Sequence, residues 1–168
     1  SLANGQSNSW TYSYLEDSDL ISDLTSDLGL LTSRSYEDHR NLITQIKNEV
    51  GSTVISEFDY VNDAVGRRTS VKHSGTAFDA LDAFNLYGYN TRSELTSAKR
   101  YFGADLDQTN NPVGLQSFGY EYDPIGNRLS ASRNLNTETY TANELNQYEQ
   151  RTVPAVVDVL GSANTGAT

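Results

Sequence analysis

Residues 118–133 read FGYEYDPIGNRLSASR. Phe118, Tyr120 and Tyr122 alternate with other residues, and side chains alternate across a strand with a period of two, so three rings share one face of a strand. The run then meets Asp123-Pro124-Ile125-Gly126. An Asp side chain bonds to backbone groups ahead of it, Pro presets its own φ near about −65°, and Gly adopts positive φ without steric cost. Strand, turn, strand is therefore the expected unit, a β-hairpin. The same Asp-Pro pair also offers a carboxylate in a loop, so fold and chemistry compete at Asp123.

Outward from this stretch the pattern recurs. Aromatic elements stand at Trp10-Thr-Tyr12-Ser-Tyr14, Tyr36, Phe58-Asp-Tyr60, Tyr87-Gly-Tyr89, Phe118-Gly-Tyr120-Glu-Tyr122 and Tyr140. Each is followed by a polar, turn-like segment and a second short run. Taking Leu20, Leu42, Thr69, Leu95, Leu129 and Leu145 as register residues, the repeat steps by 16 to 34 residues. The third copy, NDAVGRRTSV, keeps the Asp63-x-x-Gly66 spacing without the proline. In the first third, Leu15, Leu20, Leu24, Leu28 and Leu31 fit a short amphipathic helix, but Gly29 interrupts it and Ile21 and Thr25 suit strands, so strand–turn–strand preserves the repeat. The segment 103–114, GADLDQTNNPVG, is the longest polar connector and reads as an exposed excursion.

Composition narrows the function classes. The 168 residues carry a net charge of −10, with eleven Tyr against five Phe and one Trp. Tyr packs a ring while keeping its hydroxyl at a wet edge, which suits half-buried sheet surfaces. The negative field disfavours nucleic acid and anionic membranes as partners. Without cysteine there is no disulfide, thiolate metal site or cysteine nucleophile. No apolar run is long enough for a membrane-spanning helix, so no membrane insertion is expected. The absence of Met suggests an interior piece of a longer protein.

The motifs YEYDPIGNRLSAS, VNDAVGRRTSV, YGYNTRSELTSA and YTANELNQYEQRT together resemble the YD repeat of the RHS family, over roughly residues 10 to 152. The resemblance implies a secreted or cell-surface protein of the kind that includes bacterial polymorphic toxins, insecticidal toxin-complex components and teneurins. In these, hairpins spiral into one long antiparallel sheet that winds into a shell. It implies an all-β fold: repeated antiparallel β-hairpins in a twisted, spiralling sheet, an arc of such a wall. The expected organisation is an N-terminal extension at 1–9, about six hairpins over 10–152, and a last strand with a flexible tail at 153–168. The family's self-cleaving motif resembles Asp-Pro-x-Gly-Leu, but Asn127 and Arg128 follow here, so Asp123, Pro124 and Gly126, with Asp63 and Gly66, are read as structural turns.

The remaining candidates are weighed against packing. The aromatic series Trp10, Tyr12, Tyr14, Tyr36, Phe58, Tyr60, Tyr87, Tyr89, Phe118, Tyr120, Tyr122 and Tyr140 could stack sugar rings, but its periodicity favours cross-strand packing between hairpins. Asp17, Asp19, Asp23 and Asp27 fail the EF-hand spacing, since Ile21, Ser22 and Leu28 stand where an oxygen ligand, Gly and Glu are required. Asp105 and Asp107 with Asn110 and Asn111 form a better oxygen-rich loop, whose ordinary reading is solvation. His39 and His73 lack metal-site spacing and are expected at the surface. Arg67, Arg68 and Arg128 follow the turns, lie beside Asp63 and Asp123, and are expected to pair across hairpins, which would fix register and orientation. The expected function is a non-catalytic structural segment without cofactor or metal, whose partners are neighbouring repeats or copies of itself. The alternative is an adhesin-like module for carbohydrate or a surface protein.

Overall fold

A computed structural model describes residues 8–78 and 81–155. They form strands β1 (Trp10–Tyr14), β2 (Ile21–Ser26), β3 (Leu30–Glu37), β4 (Arg40–Val50), β5 (Thr53–Asn62) and β6 (Arg68–Ser74), then a 3₁₀ turn at Thr76–Phe78. There follow β7 (Ala83–Tyr89), β8 (Leu95–Phe102), β9 (Pro112–Tyr122), β10 (Arg128–Arg133), β11 (Asn136–Ala142) and β12 (Tyr148–Arg151). Order in the sheet is order in the chain and neighbouring strands run antiparallel, so the fold is all-β and built from successive hairpins. The first third is strand–turn–strand, as the repeat requires: β-branched Ile21 and Thr25 lie in β2, and Gly29, at φ 90, turns the chain into β3.

The chain divides into two units, Ser1–Asn85 with Phe102–Gln108, and Leu86–Tyr101 with Thr109–Thr168. In the first, Ile46 lies opposite Phe58, which lies opposite His73, and Tyr60 lies opposite Val71. These positions share one face, by the alternation of side chains across strands. Their neighbours in sequence make the other face polar: Gln45 Nε2 donates to Asp59 Oδ1 at 2.8 Å, and Lys72 Nζ stands 3.7 Å from Asp59 Oδ2. Among the described residues the buried apolar side chains are Val71, Ala83 and Phe84, all in this unit. Gly75, at φ 110, crosses β5 so closely that a Cβ there would lie 2.7 Å from the Ile55 carbonyl oxygen.

The second unit runs from the end of β7 to β12. The connector between β8 and β9 is shorter than the expected 103–114, because β9 begins at Pro112. The pairing of β9 with β8 is interrupted between Lys99–Ser117 and Tyr101–Pro112, and Leu115 there adopts φ 60. At the ends of the chain, β1 starts at Trp10 and β12 stops at Arg151. Residues 153–155 are not strand, and the rest of the expected last strand and tail, like residues 1–7, lies outside the described residues.

Candidate functional site

Among the described residues one turn geometry occurs four times. Asp63 Oδ1 accepts from the Val65 and Arg67 amides at 3.0 and 2.9 Å, and Gly66 sits at φ 87 and donates to the Asp63 carbonyl at 3.0 Å. Asp123 does the same with Ile125, Asn127 and Gly126, the glycine at φ 97. Asn90 repeats it with Ser93 at φ 65, and Asn143 with Asn146 at φ 60. Ser26 makes a hydroxyl version, accepting from Leu28 at 3.1 Å ahead of Gly29 at φ 90. After three of these turns the register slips at equivalent places, beside Arg68, Arg128 and Tyr148, so one residue bulges out.

The second side-chain atom of each turn head meets the residue four ahead. Asp63 Oδ2 accepts from Arg67 Nε at 2.7 Å, and Asp123 Oδ2 from Asn127 Nδ2 at 2.9 Å. Where the head is Asn, the partner is an acceptor: Asn90 donates to Glu94, and Asn143 to Gln147 at 3.2 Å. Burial opposes ionisation of Asp123, but donors from Asn127, Ile125 and Gly126 outweigh it and hold its carboxyl below the usual range. Such a carboxylate is a weak base with its lone pairs committed to the turn.

Arginines connect neighbouring turns. Arg40 Nε pairs with Glu37 at 2.5 Å while its Nη1 donates to the Asp63 carbonyl at 2.8 Å. In the other unit, Arg92 Nη2 pairs with Glu94 at 2.7 Å and donates to the Asp123 carbonyl at 2.5 Å. Neither clasp follows from sequence spacing, since donor and acceptor belong to different hairpins. The expected pairing across hairpins does not form for Arg128, which makes no ion pair among the described residues. Arg67 pairs with the Asp63 of its own turn, while Arg68 lies 3.7 Å above the Tyr60 ring and Arg128 5.0 Å from that of Tyr120. The reason is local: these arginines are the first residues of β6 and β10, on the tyrosine face.

His73 is half-buried rather than an exposed surface residue. Its ring meets Phe58 at 5.3 Å and Phe78 at 5.6 Å, and the two phenylalanines meet at 5.8 Å. His39 is exposed in the turn between β3 and β4. Tyr36 is half-buried and donates its hydroxyl to the Ile21 carbonyl at 2.9 Å. Trp10, Tyr12 and Tyr14 on β1 are exposed, at 43, 53 and 57%. Tyr87, Tyr89 and Tyr122 are half-buried in β7 and β9. Among the described residues no three His, Asp or Glu side chains gather for a metal, and Asp105 bonds the Asp107 amide instead.

Sequence reading missed two turns. Ser26 went unseen because a hydroxyl stands where Asp was sought, although Ser-x-x-Gly was the visible signal. Leu145, taken as a strand residue, lies inside the turn headed by Asn143, whose signal was Asn-x-x-Asn. It also missed a cavity of about 430 Å³ in the second unit, where Phe118 and Tyr120 of β9 face Ala131 and Arg133 of β10. Glu138 and Tyr140 of β11 continue its wall, and Val153 and Pro154 close one side.

With this geometry in view, comparison with known proteins is informative in one direction. No family model matches the chain, and no curated protein matches it. A solved chain does, from the crystal structure of TcdB2-TccC3-Cdc42, with a TM-score of 0.60 and 19% identity over 83% of this chain. The two share a fold. The match covers only 7% of that chain, so the present chain spans a small fraction of its length. The likeness extends to the fold alone, and it agrees with the all-β sheet of successive hairpins described above.

Proposed function

We propose that the chain is a structural segment of an RHS-type toxin-related protein, secreted or displayed at a surface, and that it builds part of a β-sheet wall without catalysis. The observation that carries this is the linked series of hairpins: each unit ties one turn to the next with an arginine clasp, as a load-sharing wall requires. The likeness to a chain in TcdB2-TccC3-Cdc42 supports the same reading. Among the described residues no helix is long and apolar enough to cross a membrane.

In this reading the partners are strands. All five residues of β1 and all four of β12 are exposed, and among the described residues these two strands end the sheet order. An open edge templates pairing with a further strand, from a neighbouring repeat or a second copy. Sedimentation of the isolated chain should show association that grows with concentration and weakens with Tyr12→Lys. A stable monomer at high concentration removes the proposal. Non-catalysis is checked by intact mass: cleavage beside Asp123 on storage would contradict it.

A second reading, recognition of carbohydrate or a surface protein, is favoured by the open rings of Trp10, Tyr12 and Tyr14. Glycan-array binding lost in Trp10→Ala and Tyr12→Ala would establish it. Undiminished binding in both would discard it.

A further inference from the structure

Two hairpins of this chain share one frame and differ in what fills it. Counted from the turn heads Asp63 and Asp123, the tyrosine three before (Tyr60, Tyr120), the arginine five after (Arg68, Arg128) and the phenylalanine five before (Phe58, Phe118) correspond. Eight after, Val71 corresponds to Ala131, and ten after, His73 corresponds to Arg133. In β5–β6 the space is closed: Val71 is buried, and His73 sits between Phe58 and Phe78. In β9–β10, with alanine and arginine there, the same place is the cavity of about 430 Å³.

The groups facing the cavity are charged unevenly. Its one acidic lining residue, Glu138, is already matched: Arg151 donates to both its oxygens at 2.8 and 2.7 Å, and the Tyr140 hydroxyl adds a third bond at 2.9 Å. Arg128 and Arg133 form no ion pair among the described residues. Arg133 and Arg128, the latter against the Tyr120 and Tyr140 rings at 5.0 and 5.9 Å, thus line a partly apolar space with Phe118, Val153 and Pro154 among its other walls. A guanidinium presents a planar fork of donors that fits a carboxylate, and the volume suits a small molecule.

We propose that this cavity binds a small organic carboxylate with a ring, its anion held by Arg133 and Arg128 and its ring resting against Phe118. The chemistry is shared by sugar acids and aromatic acids. Titration of the full chain, by calorimetry or NMR, with glucuronate and with benzoate distinguishes these sources, and glucose and benzyl alcohol serve as their uncharged counterparts. At least one acid should bind, and its uncharged counterpart about tenfold or more weaker, the loss expected when a charge-assisted bond is missing. Arg133→Gln should weaken the acid by a similar factor. Ala131→Val, which installs the residue of the closed hairpin, should weaken binding while the melting temperature holds or rises, so loss of binding is separable from loss of fold. Binding of neither acid at millimolar concentration, equal binding of acid and uncharged counterpart, or undiminished binding by Ala131→Val would each overturn the proposal.

Discussion

Hairpin β5–β6 and hairpin β9–β10 fold by the same instructions and end with different interiors. Both begin with a Phe-x-Tyr strand, turn on an Asp whose carboxylate collects two amides, and return through an arginine laid toward the tyrosine ring. Those shared positions set the frame. What lies further along the return strand sets the filling, with Val71 and His73 closing one hairpin and Ala131 and Arg133 leaving the other open. Frame and filling are thus separable in this fold, and a repeat can diverge in content without losing its register.

The largest test of the contrast is at Phe84, the only large side chain among the described residues that is fully buried. Phe84→Ala should cost about 3–5 kcal/mol in urea unfolding, the range for a truncated core aromatic. Hydrogen exchange should then show lost protection in β5 and β6 with β9 and β10 retained. Uniform loss would mean that the two units do not differ in stability as their burial implies.

A smaller effect is expected from exchanging the fillings. Val71→Ala removes two buried methyl groups and should cost about 2 kcal/mol. Ala131→Val fills a space and should stabilise by about 0.5–1 kcal/mol. Opposite signs in thermal or urea unfolding would confirm that one frame is filled and the other open. Two losses of equal size would show that Ala131 is already well packed.

The frame was legible in the sequence because it rests on local chemistry. Alternating rings such as Phe118, Tyr120 and Tyr122 define a strand, and Asp-x-x-Gly defines the turn within four residues. The less visible copies obey the same physics with other atoms: the Ser26 hydroxyl and the Asn143 amide oxygen also accept backbone N–H bonds, and Asn146 takes the left-handed conformation that Asn tolerates. The filling was not legible, because it depends on which residues meet across strands. Nothing near His73 in sequence announces Phe58, fifteen residues earlier, and the Arg40 clasp onto the Asp63 carbonyl spans 23 residues.

The smallest and most specific difference concerns the turn heads. Asp63 faces Arg67, which can only donate, whereas Asp123 faces Asn127, whose amide can turn to present its oxygen. The natural Asn heads, Asn90 and Asn143, face acceptors. Asp63→Asn should therefore lower the melting temperature at neutral pH, and Asp123→Asn should leave it nearly unchanged. In acid the two variants should behave alike. Burial opposes ionisation at both carboxyls, yet turn amides and the partner four ahead hold both below their ordinary values. A group with a lowered folded pKa stabilises above its unfolded value, roughly pH 4, and loses that contribution as pH falls through the lower folded value. Each variant lacks one such group, so its stability should decline less steeply below about pH 4 than that of the parent chain. Equal melting temperatures for the two variants at neutral pH would mean that the residue four ahead does not choose between Asp and Asn. The match of head to partner across all four turns would then have no energetic basis.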